Sequence, residues 1–182
     1  MNNTSSSPPN PPATPSSLTE TLTLILSKTT DPTSSISKFI HYLTPTIIHS
    51  IIQSKTLRSH PLILLHFFKF SLIHAPHFSI GSPTTRPSFS TLLQTLFAHN
   101  RYSDAKTLLV NFIADTRHLL LRRILHPAHD MPRHSKALYD TTIGGYAQIG
   151  NPSFAMIVFG RMERLRICPK LITCNTLINS LI

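Results

Sequence analysis

The side chains in this sequence with the clearest chemical potential are basic, and they gather in one segment. From Arg117 to His134 the chain reads RHLLLRRILHPAHDMPRH, with four Arg, four His and one Asp. Guanidinium groups match the geometry of phosphate oxygens, so this segment could bind phosphate. The alternative is a solvated extension of a helix with a turn after it. Pro127 and Pro132 indicate that its end is irregular.

The overall charge points in the same general direction. The chain has 182 residues, 17 Lys and Arg against 7 Asp and Glu, and a formal net charge of +10. Such a balance suits a polyanionic partner, and it suits an organelle-targeted protein equally well. The charge alone does not distinguish these two interpretations.

No catalytic arrangement is recognisable. The sequence contains no glycine-rich phosphate loop, no HExxH and no nucleophile elbow, and its seven acidic residues offer no paired carboxylates. Cys168 and Cys174 lack partners at metal-ligand spacing, and they fit a reducing compartment. The scattered histidines His41, His49 and His66 are interpreted as ordinary half-buried side chains. We therefore expect no enzyme activity, no cofactor and no metal.

An internal repeat predicts the helices that position the remaining candidate functional residues. Sliding the chain by 35 residues places Tyr139 on Cys174, Asp140 on Asn175, Thr141 on Thr176 and Ile143 on Ile178. A self-match at this period is the signature of a repeat array.

One copy of the repeat predicts two helices. Tyr139, Ile143 and Tyr146 share one helical face, and Gly150-Asn151 interrupts the pattern before Pro152, which suits a first helical position. The second helix then carries apolar residues at helical spacing, namely Ala155, Val158, Phe159 and Met162. The product is an αα-hairpin of 35 residues that ends at Pro169.

These residues resemble the pentatricopeptide repeat (PPR) family of plants. The marks are Tyr-x-Thr-x-Ile-x-x-Tyr, Gly-x-x-x-x-Ala, Phe-x-x-Met, Pro and Cys-Asn-Thr-Leu-Ile, in order and at 35-residue spacing. The tetratricopeptide repeat is the nearest rival, but it uses 34 residues and a tryptophan. The resemblance implies an all-α fold of αα-hairpins in a short right-handed solenoid. It also implies a concave surface that binds single-stranded RNA at about one base per repeat.

The resemblance also implies which residues would contact RNA. Asp140 and Asn175 occupy the position that reads a base edge from the first helix, and Lys170 occupies the second reading position. Ala137 and Ile172 occupy the position that packs against base faces. Lys170 departs from the Asp, Asn or Ser that is typical there. The alternative role for Asp140 is a helix N-terminal charge that the helix dipole favours.

The rest of the chain divides by composition. Residues 1–33 are predicted as a disordered tail and an organelle transit segment. They begin with an uncharged stretch that is rich in Ser, Thr and Pro, and a short helix capped by Ser17 and Glu20 follows it. Residues 34–85 form an N-terminal helical region, with helices at 34–43 and 45–54 and a buried helix from Pro61. That last run is too short to span a membrane.

Residues 86–135 are interpreted as a degenerate repeat with an insertion. Phe89 aligns with Tyr139, and Ala105 with Ala155, at an offset of 50 rather than 35, which places about 15 extra residues within 111–135. Residues 136–170 form the clear repeat, and 171–182 the first helix of another. The apolar residues of that last helix would lack a partner helix, namely Leu177, Ile178, Leu181 and Ile182.

The resulting hypothesis is an RNA-binding protein that acts on organellar transcripts in RNA processing, stability or translation. We expect it in mitochondria, with the chloroplast as the alternative, and we expect neither DNA nor a membrane as a partner. The competing interpretations are a helical scaffold that binds proteins and a non-functional truncated copy. The chain could be the N-terminal portion of a longer protein.

Overall fold

The helical character predicted from the sequence is present throughout the part of the chain that the structure describes. A computed structural model describes residues 14–28, 35–116 and 135–182, and in these ranges all regular structure is helical. The helices are α1 Pro15–Lys28, a 3₁₀ helix Ser37–Tyr42, α2 Pro45–Gln53, α3 Lys55–Arg58, α4 Pro61–His74, α5 Arg86–Ala98, α6 Tyr102–Thr116, α7 Ser135–Gln148, α8 Pro152–Arg164 and α9 Leu171–Leu181. The basic segment 117–134 and the start of the tail lie outside the described residues.

Helix α1 is part of the core. It begins one turn earlier than predicted, because Thr14 rather than Ser17 supplies the cap: the Ser17 N–H donates to Thr14 Oγ1 at 3.4 Å. Its apolar stripe is buried against α2 and α3 by Leu18, Leu22 and Leu26. The predicted tail of residues 1–33 therefore contains a packed helix, and the division at residue 33 does not separate a tail from the fold.

Helices α2 to α4 build the N-terminal layer. Helix α2 is capped by Thr44, whose Oγ1 accepts from the Ile47 N–H at 3.3 Å. The apolar run from Pro61 forms α4, which buries one side against α2, α3 and α5 through Leu64, Leu65, Phe67, Phe68 and Ser71. Within the described residues, no helix is both long and apolar enough to cross a bilayer. The helix predicted over 34–43 is mostly the 3₁₀ turn, with Leu43 N–H bonded to Ile40 O.

Two αα-hairpins follow, α5–α6 and α7–α8, and the same positions are buried in both at an offset of 50. Phe89 and Tyr139, Leu93 and Ile143, and Ala105 and Ala155 are all at most 3% exposed. The alanines let the two helices of each hairpin approach closely. The repeat geometry therefore extends over the degenerate copy as well as the clear one.

The hairpin turns close by the same main-chain bonds. After α5, the Arg101 N–H bonds to Leu96 O at 2.8 Å, and after α7 the Asn151 N–H bonds to Tyr146 O at 2.9 Å. Each closure needs one residue in the left-handed region, which is Asn100 (φ 58°) in the first and Gly150 (φ 71°) in the second. This is the break that the Gly150-Asn151 pair predicts.

Helix α7 is the central element of the C-terminal part. It packs against α6 on one side, α8 on another and α9 on a third. Gly145 allows the approach to α6, because a Cβ there would lie 3.3 Å from Ile113 Cδ1 and 3.4 Å from Val110 Cγ2. The stacking of hairpin on hairpin makes this a short helical-repeat solenoid.

Candidate functional site

An open groove lies along the first helices of the last two repeats. It has a volume of about 570 Å³. Both of its long walls, α7 and α9, are helices that begin a repeat, as expected for the inner face of a solenoid. The groove is lined by Lys106, Asp140, Thr141, Gly144, Ala147, Gln148, Lys170, Ile172, Thr173, Thr176, Asn179 and Ser180.

Asp140 joins the two walls. Its Oδ1 accepts hydrogen bonds from the Lys170 backbone N–H at 3.2 Å and from Thr173 Oγ1 at 2.7 Å. Lys170 is the N-cap residue of α9, and its own side chain makes no capping bond. Asp140 therefore supplies to the N-cap N–H of α9, from the preceding repeat, the acceptor that the third residue of a capping box supplies within one helix. Its negative charge also lies where the α9 dipole favours it.

Lys136 completes this connection. Its Nζ lies 3.8 Å from Asp140 Oδ2 and donates a hydrogen bond to the backbone oxygen of Cys168, in the segment that leads into α9. The Asp140 side chain is only 8% exposed, and its Oδ2 is buried without a hydrogen-bond partner. The carboxylate is thus enclosed by α7, the 167–170 segment and the start of α9.

Three of the predicted contact residues come together in the groove. Asp140, Lys170 and Ile172 line it, with Lys170 exposed and Ile172 70% exposed. Ala137 is instead half-buried and packed against the core, and Asn175 is exposed on α9 but does not line the groove. The predicted set is therefore divided between the groove and its surroundings.

Other lining residues were not predicted. Thr141 and Thr176 are 35 residues apart, as are Gly144 and Asn179, so applying the repeat period to the whole helix face would have found them. Lys106 had no such signal. It comes from α6, the second helix of the preceding hairpin, and only the packing of α6 on α7 brings it to the groove.

The groove offers hydrogen-bonding groups rather than reactive ones. The Thr176 hydroxyl donates to Ile172 O at 2.7 Å and can still accept, and the Asn179 amide is exposed. In the described part of the chain, no three His, Cys, Asp or Glu side chains gather as a metal site would need.

Away from the groove, burial raises the pKa of Tyr146 and lowers the pKa of His49.

The far side of α9 presents apolar side chains. Ile178, Leu181 and Ile182 are more than half exposed, as the sequence predicts for a helix without a partner on that side. Leu177 is a correction to that prediction, because it is 4% exposed. It lies one helical turn after Thr173, which is also buried, on the face that packs against α7.

The hairpins and the groove together define a helical-repeat protein of αα-hairpins. The sequence is 34% identical over 171 residues, or 92% of the chain, to a pentatricopeptide repeat-containing protein from Arabidopsis thaliana. The chain is a PPR-like protein. It spans 23% of the length of that curated relative. No family model matches the sequence, and no solved structure matches the fold.

Proposed function

We propose that this PPR-like protein binds single-stranded RNA in the groove between α7 and α9, and that its targets are organellar transcripts undergoing processing, stabilisation or translation. The observation that carries the proposal is the pair of lysines on the groove, Lys106 from α6 and Lys170 from the start of α9. They belong to different repeats, yet both line one channel. The net charge of +10 favours a polyanion as the occupant.

The lining fits a flexible strand better than a small folded ligand. Two ammonium groups can contact phosphates, which dominate the affinity for nucleic acid. The exposed side chain of Ile172 can cover a base face and leave water as it does so. Thr176 and Asn179 can hydrogen-bond to base edges. Groups of these three kinds are what single-strand recognition uses.

The proposal is tested by fluorescence anisotropy with single-stranded RNAs of several sequences over a series of salt concentrations. Lys106→Ala should weaken binding to all sequences by the same factor. It should also reduce the slope of log K against log salt by about 0.7, the value for one phosphate contact on a single strand. Lys69→Ala is the matched control, since Lys69 is an exposed lysine on α4 that does not line the groove.

The two lysine variants distinguish binding in the groove from general attraction of RNA to the positive charge of the protein. Equal losses in Lys106→Ala and Lys69→Ala would place binding outside the groove and contradict the proposal. Absence of any binding by the unmodified chain at low salt would also contradict it.

A second candidate function has an observation of its own. The exposed apolar side chains Ile178, Leu181 and Ile182 suit a protein partner that packs against α9, because exposed contiguous apolar surface favours association. In this case the chain is a protein-binding scaffold. It would bind no RNA at low salt, and Leu181→Asp would release the partner.

Mitochondria are the proposed location, with the chloroplast as the alternative. The first choice follows from the habit of the family that the chain resembles. The acid-poor, Ser- and Thr-rich start of the chain supports an organelle in general, and its lack of Arg favours the chloroplast alternative. Imaging of a full-length fluorescent fusion in plant cells against markers for both organelles distinguishes the two.

A further inference from the structure

Asp140 occupies the position from which a base edge would be read, but one of its oxygens already has two donors and the other is buried. Oδ1 holds both the Lys170 N–H and the Thr173 hydroxyl of α9. Oδ2 is buried behind Lys136 and has almost no contact with solvent. Oδ1 therefore already has two donors, and Oδ2 is closed to a strand lying in the groove.

We propose that Asp140 is a positioning residue, which fixes α9 against α7 and thereby sets the width of the groove, and that it does not read a base. A base edge could reach Oδ1 only by displacing two hydrogen bonds, and Oδ2 only by opening the contact with Lys136. Breaking such bonds leaves buried polar groups unpaired, which costs more than a new hydrogen bond returns.

The hydrogen bonds to bases in this groove then come from residues whose polar groups remain accessible. Asn179 has an exposed amide on the groove, just under one helical turn after Thr176 along α9. Its carbonyl accepts and its amino group donates, so it can discriminate between base edges. This part of the inference rests on the proposed RNA-binding function, whereas the positioning role of Asp140 does not.

Two residues allow a matched test, because either can be changed to break the same bond. Asp140→Ala removes the acceptor, and Thr173→Val removes the hydroxyl from a buried position that contributes little to the groove surface. In amide hydrogen exchange without RNA, both variants should speed exchange of the Cys174 N–H, which bonds to Lys170 O. We expect about fivefold to tenfold faster exchange in Thr173→Val, which loses one net hydrogen bond, and a larger increase in Asp140→Ala, which loses two.

The conservative variant Asp140→Asn provides the rescue. Its amide oxygen can still accept from Lys170 and Thr173, so exchange at Cys174 should return close to the original rate. With RNA, we compare the order of affinity for oligo-U, oligo-C, oligo-A and oligo-G. The variants Asp140→Ala, Asp140→Asn and Thr173→Val should keep the order of the unmodified chain. Asn179→Ala should change that ranking.

The outcomes are distinct. A base ranking that changes in Asp140→Asn but not in Thr173→Val would show that Asp140 reads a base, since the variant exchanges an acceptor for a donor. Unchanged exchange in both Asp140→Ala and Thr173→Val would overturn the positioning role. Failure of the unmodified chain to bind any RNA would remove the proposed function and the role of Asn179, and the exchange measurement would still decide the role of Asp140.

Discussion

The hairpins α5–α6 and α7–α8 have the same backbone but different polar residues. Both bury the same positions and close by the same main-chain bond. At the position of Asp140 the first hairpin has Ser90, whose hydroxyl is contacted by Gln94 Nε2 of the same helix at 3.5 Å. Asp140 instead reaches into the next repeat.

The aromatic packing of the two hairpins differs as well. In the first, the rings of Phe89 and Phe112 stack with their centroids 3.8 Å apart. In the second, the same positions hold Tyr139 and Met162, which are also buried. Helix α5 of the first hairpin thus packs into the core against α2 and α4, while the second hairpin supplies a wall of the groove. The comparison teaches that apolar positions and closures define the repeat, and polar positions define what each copy does.

The largest expected effect comes from the aromatic stack. Phe89→Ala should lower the free energy of unfolding by about 3–5 kcal/mol, the usual cost of removing a fully buried phenylalanine. Urea denaturation followed by circular dichroism measures it. Ile73→Ala is the control, because Ile73 is 76% exposed on α4, and its effect should stay within about 0.5 kcal/mol. A loss at Phe89 as small as at Ile73 would mean that the first hairpin is not a core element.

A smaller effect tests whether the two turns are equivalent. Gly150→Ala should destabilise the fold by about 1–2 kcal/mol, since a Cβ there meets no neighbour within 4 Å and the cost is the left-handed backbone alone. Asn100→Gly at the matching position should stabilise it by less than about 1 kcal/mol. Thermal melts of both variants give the comparison. Equal destabilisation by the two changes would show that the turns are not related.

The smallest expected effect is pH-dependent and arises where α2 contacts the first hairpin. His49 Nδ1 lies 3.4 Å from the buried Ser88 hydroxyl, and burial lowers the pKa of His49. The unfolded chain therefore takes up the proton first as the pH falls, so stability is full above about 6.5 and declines below it. Unfolding measured from pH 7.5 to 5 should show a shallower decline in His49→Gln. The second hairpin has Leu138 in place of Ser88, so Leu138→Ala should leave the pH dependence unchanged.

The sequence was sufficient for the elements that depend on local chemistry. The apolar spacing of Tyr139, Ile143 and Tyr146 predicted α7, and Gly150 with Pro152 predicted the turn and the start of α8. These features act within a few residues of one another. The offset of 50 aligned Phe89 with Tyr139 and Ala105 with Ala155, and all four side chains are buried.

The parts that the sequence did not reveal depend on contacts between distant residues. The contact between Asp140 and Thr173 spans 33 positions, and an acidic residue on a helix carries no sign of which neighbour it will meet. Lys106 reaches the groove because α6 packs on α7. Leu18 and Leu22 lie in a stretch that composition assigns to a tail, but their burial depends on α2 and α3.

The turn closures bear on how such copies can diverge over evolutionary time. After α5, α7 and α8 the left-handed residue is Asn100, Gly150 and Arg166, and each closure uses main-chain donors and acceptors. The path of the chain between the helices is therefore held by main-chain N–H and C=O groups, which do not depend on the side chain at each position. Groove side chains other than Asp140 and Thr173 can change one at a time without altering the path of the chain, so a new binding preference can arise while the architecture stays the same.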